Sequence, residues 1–435
     1  MSYQQIFVRT LADILLIDDW QVDAMVDRVY WLIDSKPNWV KPLVIKLHTH
    51  FNKNTSGITK QEIIDFVVHK SEFSILWQQQ RHQLRIRQFN LKQIPTLTTL
   101  KCDLPSLQNL NTLSSWLALS QNQLANYANN WRVNDPATQS YHRHYHYHWI
   151  KKKNGQKRLI EAPKQRMANV QRQIYLGILN HIPLHKSCHG FRKQHSCLSY
   201  AEPHTGKHVV IHMDLENFFT SIPIRRVHAI FTAIGLSESV ARSLAGLCCE
   251  QTPREVILQN PQLNWQQQKQ LMASHLPQGS PSSPVIANLC AYRLDLRLSS
   301  LAEKLGGTYT RYADDLAFSG DVIFAKQARQ LITLVAHIAI IEGFSVNHRK
   351  TRIMHQGVSQ KLTGMTLNKF ANFPRKDYDK LKAILHNCVK FGHQSQNRNK
   401  LPNFKSHLQG KIAYVRSLNP EKADKLEMTF SKINW

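Results

Sequence analysis

Two adjacent aspartates within an apolar stretch are the feature that most constrains how this chain can fold. Asp314 and Asp315 lie in "RYADDLAFSG", residues 311–320, among tyrosine, alanine, leucine and phenylalanine. Like charges on neighbouring residues in apolar surroundings are unfavourable unless a positive charge lies beside them. The pattern therefore predicts a fold that brings a cation to this pair.

A third aspartate, upstream, extends the pattern. Asp214 follows the strand-like run 208–213 in "HVVIHMDL". Alone it would be interpreted as a cap of the next helix. An acid at the end of one strand and an acidic pair at the turn of a neighbouring hairpin can instead converge on two divalent cations, roughly 3.5–4 Å apart, that activate a hydroxyl and hold a leaving pyrophosphate. We interpret the missing positive charge as two Mg²⁺ ions.

The overall charge indicates a polyanionic partner. The 435 residues include 56 Lys and Arg against 29 Asp and Glu, a formal net charge of +27. Such an excess favours nucleic acid first and an anionic membrane second. No apolar run reaches the ~18 residues of a membrane span, and the first 20 residues lack the basic region of a secretory signal. We therefore expect a soluble cytoplasmic protein with no membrane partner.

The seven cysteines do not indicate a disulfide framework or a structural zinc site. Their number is odd and none forms a CxxC pair. Both features argue against paired or metal-bound thiols, which usually occur in even numbers at short spacings. We expect reduced thiols that are buried as small apolar groups.

The first 105 residues predict a mostly helical region. Apolar residues recur at helical spacing behind Asp18 and Asp19, and they are Val22, Met25, Val26, Val29, Leu32 and Ile33. The basic stretch 78–92 is open to two interpretations, a phosphate contact or a solvated face. Residues 104–130 predict two short helices, the second opened by a capping box of Ser120 and Gln123.

A hairpin follows, and then an alternation of strands and helices. "YHRHYHYHWIKKKNGQKRLIEAP" predicts two strands joined by a turn at Asn154 and Gly155. His144, His146 and His148 share one strand face, which favours a polar face near nucleic acid over a metal site. The later alternation indicates an α+β fold. Residues 366–435 return to helix, with apolar residues spaced by three and four.

Seven segments, in order, resemble the motifs of reverse transcriptases. "YADD" followed by "LAFSG" resembles the hallmark of that family. The other segments are "KRLIEAPKQRMANVQRQI" (157–174), "HGFRKQHS" (189–196), "MDLENFFTSI" (213–222), "LPQGSPSSPVIANL" (276–289), "GFSVNHRKTRIM" (343–354) and "LTGMTLN" (362–368). Within the family, "HGF", "LPQGSPSSP" and "LTG" most resemble retron-type enzymes. The resemblance covers about 130–420.

The resemblance implies an α+β right-hand polymerase. Fingers and a palm with an antiparallel sheet would span 105–365, a basic helical thumb 366–435, and a mostly helical extension of unknown role 1–104. The implied activity is RNA-directed DNA polymerisation that copies part of a structured non-coding RNA into multicopy single-stranded DNA (msDNA), in defence against phage. Implied partners are that RNA, its RNA:DNA hybrid and dNTPs. An effector or toxin protein and a homo-oligomer are left open.

The resemblance also assigns roles around the three aspartates. Asp214 and Asp314 would bind the metal ions directly, and Asp315 would be the third carboxylate. Phe219, five residues after Asp214, matches the steric gate that excludes a ribose 2′-hydroxyl. Gln278 in "LPQGSP" matches a glutamine that lines the nucleotide pocket.

Basic residues are assigned to phosphates in the same way. Lys350 matches a lysine near the leaving group, either as a general acid or as a charge that screens phosphate. Lys153 and Arg158 flank the finger turn and would bind the triphosphate. On the thumb, three lysines would grip an A-form duplex through its backbone: Lys376, Lys380 and Lys382.

The sequence departs from the retron pattern at two positions. An Asn-Ala pair followed by His is common in retron enzymes, whereas this chain has Tyr200 before Ala201 and His204. We expect His204 to contact nucleic acid, and the change at Tyr200 bears on recognition of a typical retron RNA. Leu362 replaces the valine of Val-Thr-Gly, which is a conservative change.

Three other functions are alternatives to this interpretation of the sequence. One is a defence-associated reverse transcriptase outside the retrons. Another is an intron-encoded enzyme, which usually carries further segments after the thumb, whereas about 70 residues follow "LTG". The third is an RNA-binding scaffold with an inert site, a class that tends to lose an acid or the pocket glutamine, both of which this chain keeps.

Overall fold

The structure is a computed structural model that describes residues 3–16, 20–33, 35–51, 58–69, 71–80, 84, 105–128, 143–152 and 155–435. Its apolar side chains form several clusters, of which one belongs to the N-terminal helices, one to the central α+β body and one to the C-terminal helices. The α+β class predicted from the sequence is confirmed.

The N-terminal region is a bundle of short helices with its own core. They are α1 (Tyr3–Leu15), α2 (Val22–Ile33), α3 (Val40–Phe51), α4 (Lys60–His69) and α5 (Ser71–Gln80). Phe7, Leu11, Met25 and Leu47 are fully buried between them. The helical spacing that predicted α2 is confirmed, because its apolar residues face this core.

Two short helices and a hairpin lead into the central body. These elements are α6 (Leu110–Trp116), α7 (Gln121–Ala128), β1 (Tyr145–Lys151) and β2 (Lys157–Pro163). The predicted capping box precedes α7, where Gln123 N donates to Ser120 Oγ at 3.2 Å and Ser120 N donates to Gln123 Oε1 at 3.1 Å. The strands pair antiparallel, as predicted. Asn154 of the turn lies outside the described residues.

A four-stranded antiparallel sheet forms the centre of the molecule. Its strands are β3 (Val209–Asp214), β4 (Thr308–Tyr312), β5 (Asp315–Gly320) and β6 (Arg352–His355), in the order β4-β5-β3-β6. β3 is an interior strand and is buried along almost its whole length. This position explains why its sequence is nearly continuously apolar, since both faces meet other side chains.

Helices surround the sheet and bury most of the central core. They are α8 (Gln165–Gly177), α9 (Cys197–Ala201), α10 (Ile224–Ala233), α11 (Glu238–Cys248), α12 (Arg254–Leu258), α13 (Trp265–Met272), α14 (Ser283–Cys290), α15 (Tyr292–Lys304), α16 (Val322–Lys326) and α17 (Ala328–Ile341). The long helix α17 is apolar around most of its circumference. The reason is that α15 packs on one side of it and α1 of the N-terminal bundle on another.

The C-terminal helices follow a short second hairpin, β7 (Lys361–Leu362) and β8 (Met365–Thr366). They are α18 (Arg375–Phe391), α19 (His393–Gln396), α20 (Phe404–Leu418) and α21 (Pro420–Phe430). Leu381, Leu385 and Cys388 of α18 are buried, which confirms the predicted face of that helix. α18 ends at Gly392, whose φ of 80° is favourable for glycine.

Polar contacts join the N-terminal bundle to the central body. Thr10 Oγ1 lies 3.1 Å from His337 Nδ1 of α17. Arg349 Nη2 donates to the Ile58 carbonyl at 3.4 Å. Along the described parts of the chain, none of the helices combines the length and apolar character that a bilayer crossing requires. The six cysteines in those parts are all free thiols.

Candidate active site

Three aspartates that are distant in the sequence meet at one edge of the central sheet. Asp214 ends β3 and Asp315 begins β5, and the two are directly opposite in the antiparallel register. Asp314 lies in the β4-β5 turn, where its carbonyl accepts a hydrogen bond from Leu215 N at 2.8 Å. The predicted convergence of these residues is therefore present, because β3 and β5 are neighbours. Their catalytic role stays a prediction.

A buried polar network holds the turn that carries the acidic pair. Arg311 is fully buried and its guanidinium donates to both carboxylate oxygens of Asp295, at 2.7 and 2.6 Å. Its Nη1 also donates to the Ala313 carbonyl at 3.0 Å and to Asn288 Oδ1 at 2.9 Å. Ala313 has a φ of 56°, which a non-glycine residue rarely adopts. The network thus fixes a strained turn beside Asp314.

The site carries more negative charge than its neighbours neutralise. Burial, together with Asp315 and Asp214, raises the pKa of Asp314 to about 6. Lys350 Nζ donates to Asp214 Oδ2 at 2.7 Å, and His212 Nε2 donates to Asp315 Oδ1 at 2.8 Å. A cation beside Asp314 would favour the ionised form of its carboxyl, which burial and the two other acids disfavour.

The donor chemistry of the site fits a divalent cation. Three carboxylates supply the hard oxygen donors that Mg²⁺ prefers. Within the described residues, no group of three or more His, Cys, Asp and Glu side chains is already arranged to hold a metal ion. Lys350 and His212 contact two of the carboxylates, so a cation would bind in competition with them. Asp214 faces Asp315 in the sheet, and both raise the pKa of Asp314, which is the basis of the fit.

Phe219 and Gln278, the two residues predicted to line the nucleotide pocket, are both partly exposed. Phe218 is 3% exposed and its ring lies 5.6 Å from that of Phe344, which confirms the prediction that it belongs to the core. Phe219 is only half-buried, with its ring 5.5 Å from Phe218. The half-buried Gln278 is tied to β2, since its carbonyl accepts from Glu161 N at 2.9 Å. Both predicted pocket residues therefore have accessible side chains.

The segment around Gln278 is packed tightly against the β1-β2 hairpin. Gly279 has a φ of 142°, and a Cβ there would lie 2.7 Å from the Glu161 carbonyl oxygen. Beneath it, His275 Nε2 donates to Glu161 Oε2 at 3.0 Å, and Thr252 Oγ1 donates to Glu161 Oε1 at 2.7 Å. The buried pair of Glu161 and His275 was not predicted from the sequence. The sequence feature that indicated it was Glu161, an acid among the apolar residues of a strand.

The turn end of the β1-β2 hairpin lies within electrostatic reach of the acids. Burial, Arg158 and Lys350 lower the pKa of Lys152, whereas Asp214 and Asp314 act to raise it. Arg158 is exposed on β2. Lys153, which was predicted to bind a triphosphate, lies outside the described residues. Among the described residues of the hairpin turn, Lys152 is therefore a lysine that interacts electrostatically with Asp214 and Asp314.

The prediction that His204 contacts nucleic acid is wrong. His204 is fully buried, and its ring nitrogens lie 2.7 Å from the hydroxyls of Ser319 and Thr310. Burial lowers its pKa to about 3, so the ring is neutral and links β5 to β4. Tyr200 is also fully buried, and its carbonyl accepts from the Thr310 hydroxyl at 2.9 Å. The departure at Tyr200 thus lies in the interior, against β4, and not on the protein surface.

The predicted thumb residues are on the surface of α18. The side chains of Lys376, Lys380 and Lys382 are exposed there. Their spacing places the first two on one face, one helical turn apart. They are accessible to a phosphate backbone, and a contact with nucleic acid stays a prediction.

Comparison with known proteins agrees with this geometry. Residues 150–368 match the family model described as "Reverse transcriptase (RNA-dependent DNA polymerase)". The chain belongs to the reverse transcriptase family. That region contains Asp214, Asp314 and Asp315, together with Phe219 and Lys350.

The curated relatives are retron members of this family. The chain is 36% identical over 291 residues to the retron Mx65 reverse transcriptase of Myxococcus xanthus, covering 65% of this chain and 64% of that protein. It is 34% identical to the retron Mx162 reverse transcriptase of the same organism, covering 73% and 66%. Identity to the retron Ec86 reverse transcriptase of Escherichia coli is 27%, covering 66% and 81%. The chain thus spans slightly less than two thirds of the length of the two Myxococcus proteins.

A solved structure was also matched. It is the foamy viral protease-reverse transcriptase in complex with double-stranded DNA, at 14% identity and a TM-score of 0.33, covering 88% of this chain and 59% of that one.

Proposed function

We propose that this chain is a retron-type RNA-directed DNA polymerase that copies part of a cognate structured RNA into single-stranded DNA. The observation that carries the proposal is the β3-β5 register, which sets Asp214 opposite Asp315 and beside Asp314. Membership of the reverse transcriptase family supports it independently. Phe219 and Gln278 are both partly exposed, which is compatible with contact to a large substrate.

In this proposal the three aspartates hold two Mg²⁺ ions, which when bound activate the attacking hydroxyl and stabilise the leaving pyrophosphate. Other side chains of the protein would bind phosphate and select the sugar. Lys350, whose side chain is 51% exposed, would leave Asp214 and turn to the phosphates. Phe219 would exclude a ribose 2′-hydroxyl by its bulk, and Arg158 would bind phosphate in the bidentate manner typical of guanidinium.

The nucleic acid would be held mainly through its backbone. We propose that 105–365 forms fingers and palm and that 366–435 forms the thumb, with α18 presenting Lys376, Lys380 and Lys382 to the duplex. The formal net charge of +27 supports a phosphate-rich partner. Such contacts are sequence-independent, so recognition of one particular RNA would rest on its folded shape.

The retron relatives support the finer part of the proposal. By that likeness, synthesis would begin from a 2′-hydroxyl of the bound RNA and yield msDNA. A role in defence against phage, with an effector or toxin partner, belongs to the same proposal.

The test is DNA synthesis by purified protein with its copurifying RNA. We expect extension with dNTPs only when a divalent metal is present, and we expect Asp214→Asn and Asp314→Asn to abolish it. Asp65→Asn, at an exposed aspartate of α4, is the matched control and should extend normally. Undiminished DNA synthesis by the Asp214→Asn and Asp314→Asn variants would contradict the assignment of these aspartates to the active site.

Sequencing the product tests the retron assignment separately. A branched RNA-DNA molecule is expected, because the first nucleotide would be joined to an internal 2′-hydroxyl. Unbranched or repetitive DNA made by an active enzyme would favour a defence-associated reverse transcriptase outside the retrons.

A further inference from the structure

The segment "SCHGF", residues 187–191, is attached to the edge of the catalytic sheet. Arg311 N donates to the Ser187 carbonyl at 2.7 Å, and His189 N donates to the Arg311 carbonyl at 2.8 Å. These bonds form a short parallel bridge beside β4. The segment is therefore anchored to the strand that leads into Asp314.

Gly190 locks the segment against the catalytic turn. A Cβ at this position would lie 2.4 Å from the backbone nitrogen of Ala313, so a side chain does not fit. Its carbonyl accepts from Asn288 Nδ2 at 2.8 Å, and Asn288 in turn accepts from Arg311. The buried network that holds the aspartate turn thus also holds the residue before Phe191.

Phe191 combines an unusual backbone with an exposed ring. Its φ is 56°, in the left-handed region that bulky residues rarely adopt. Its side chain is nevertheless 45% exposed, so burial of the ring does not explain the conformation. A strained residue that is fixed by its surroundings and presents an apolar ring to solvent is a typical functional feature.

The ring of Phe191 lies between two residues of the active site. Its centroid is 6.2 Å from the ring of Phe219 and 6.5 Å from the ring of Tyr312. Phe219 is on the side of the incoming nucleotide in the proposed function, and Tyr312 directly precedes the turn with Asp314. The three rings thus form an apolar surface at the point where the two nucleotides to be joined would meet.

We infer that Phe191 contacts the incoming nucleotide and orients it for transfer, an inference that rests on the proposed function. The ring offers an apolar and aromatic face, so its ligand would be the base or sugar and not the triphosphate. Every base has such a face, and the contact is therefore independent of base identity. Phe191 is a positioning residue, distinct from the gate at Phe219, and acts on ribonucleotides and deoxynucleotides alike.

Phe191→Gly is the informative variant, because glycine accepts a positive φ and removes only the ring. We expect unchanged or higher thermal stability and a KM for each dNTP raised about tenfold, within the range for loss of one stacking contact. The kcat at saturating dNTP should change less. Phe191→Tyr should retain most of the wild-type KM, since it keeps the aromatic face.

Phe370→Ala is the matched control, because Phe370 is 59% exposed and lies outside the three-ring surface. It should leave the KM unchanged. Suppose that the wild-type protein extends a primer and that Phe191→Gly has the wild-type KM for all four dNTPs. The inference about Phe191 is then overturned, whereas the proposed function stands. If the wild-type protein with its RNA extends no primer at all, the proposed function and the inference fail together.

Discussion

Replacing Asp314 by asparagine should stabilise the metal-free protein while abolishing DNA synthesis. Burial and the neighbouring Asp315 and Asp214 raise the pKa of this carboxyl from 3.8 to about 6. Each pKa unit corresponds to about 1.4 kcal/mol, so the ionised group destabilises the folded state by about 3 kcal/mol at neutral pH. The asparagine side chain has nearly the same shape without the charge.

The sign of the pH dependence follows from proton linkage. Between pH 3.8 and about 6 the folded chain binds a proton at Asp314 that the unfolded chain has released. The free energy of unfolding therefore falls as pH rises through this window. Above the window, the ionised carboxylate lowers that free energy by the full amount of about 3 kcal/mol. In Asp314→Asn this contribution is missing, so the variant should gain about 3 kcal/mol over wild type at pH 7.5 and little near pH 4.

Urea titrations in EDTA, at pH 4, 5, 6 and 7.5, measure this difference directly. Adding Mg²⁺ at pH 7.5 should stabilise wild type more than the variant, since binding to the folded state adds to its stability. Asp65→Asn is the matched control and should differ from wild type by less than about 0.5 kcal/mol at each pH. A variant that is no more stable than wild type at pH 7.5 would refute the reasoning from uncompensated charge.

Three further outcomes are expected. Acidification from pH 6.5 towards pH 4 should lower the free energy of unfolding by about 1.4 kcal/mol per pH unit through His204. The reason is that the unfolded chain binds a proton at His204 with a pKa of 6.5, whereas the folded chain binds it only near pH 3. If urea titrations give the same pH dependence of this free energy for wild type and His204→Asn, the prediction is contradicted. Phe219→Ala should raise the kcat/KM for ribonucleotides relative to deoxynucleotides by at least about tenfold in single-nucleotide extension, and an unchanged ratio would remove the gate assignment. Lys350→Ala should lower kcat by about 100-fold at saturating dNTP; recovery in Lys350→Arg would show that charge alone is sufficient.

The sequence predicted those parts of the fold that depend on local pattern. The alternation in β1 and β2 and the helical spacing in α2 and α18 are properties of consecutive residues. The meeting of Asp214 with Asp314 and Asp315 was also predictable, because an acid at a strand end and an acidic turn have few other ways to be stabilised.

Contacts made by distant polar residues were not predictable in the same way. His204 resembled a surface residue in a polar segment, but its partners Ser319 and Thr310 come from strands more than a hundred residues later. Arg311 has the same property, since a charged residue in a strand is buried only when a partner such as Asp295 arrives from another element. Which face of the N-terminal bundle meets α17 likewise depends on shape rather than on periodicity.

The strand order of the central sheet has a consequence for synthesis of the protein. β3 pairs with β5 and β6, so the apolar strand that ends at Asp214 has neither neighbour until residue 320 has been made. At roughly 5–20 residues per second, translation of the intervening hundred residues takes roughly 5–20 s. During that interval the nascent chain carries an apolar strand without its partner strands, so we expect the yield of folded protein to rise when chaperones are co-expressed.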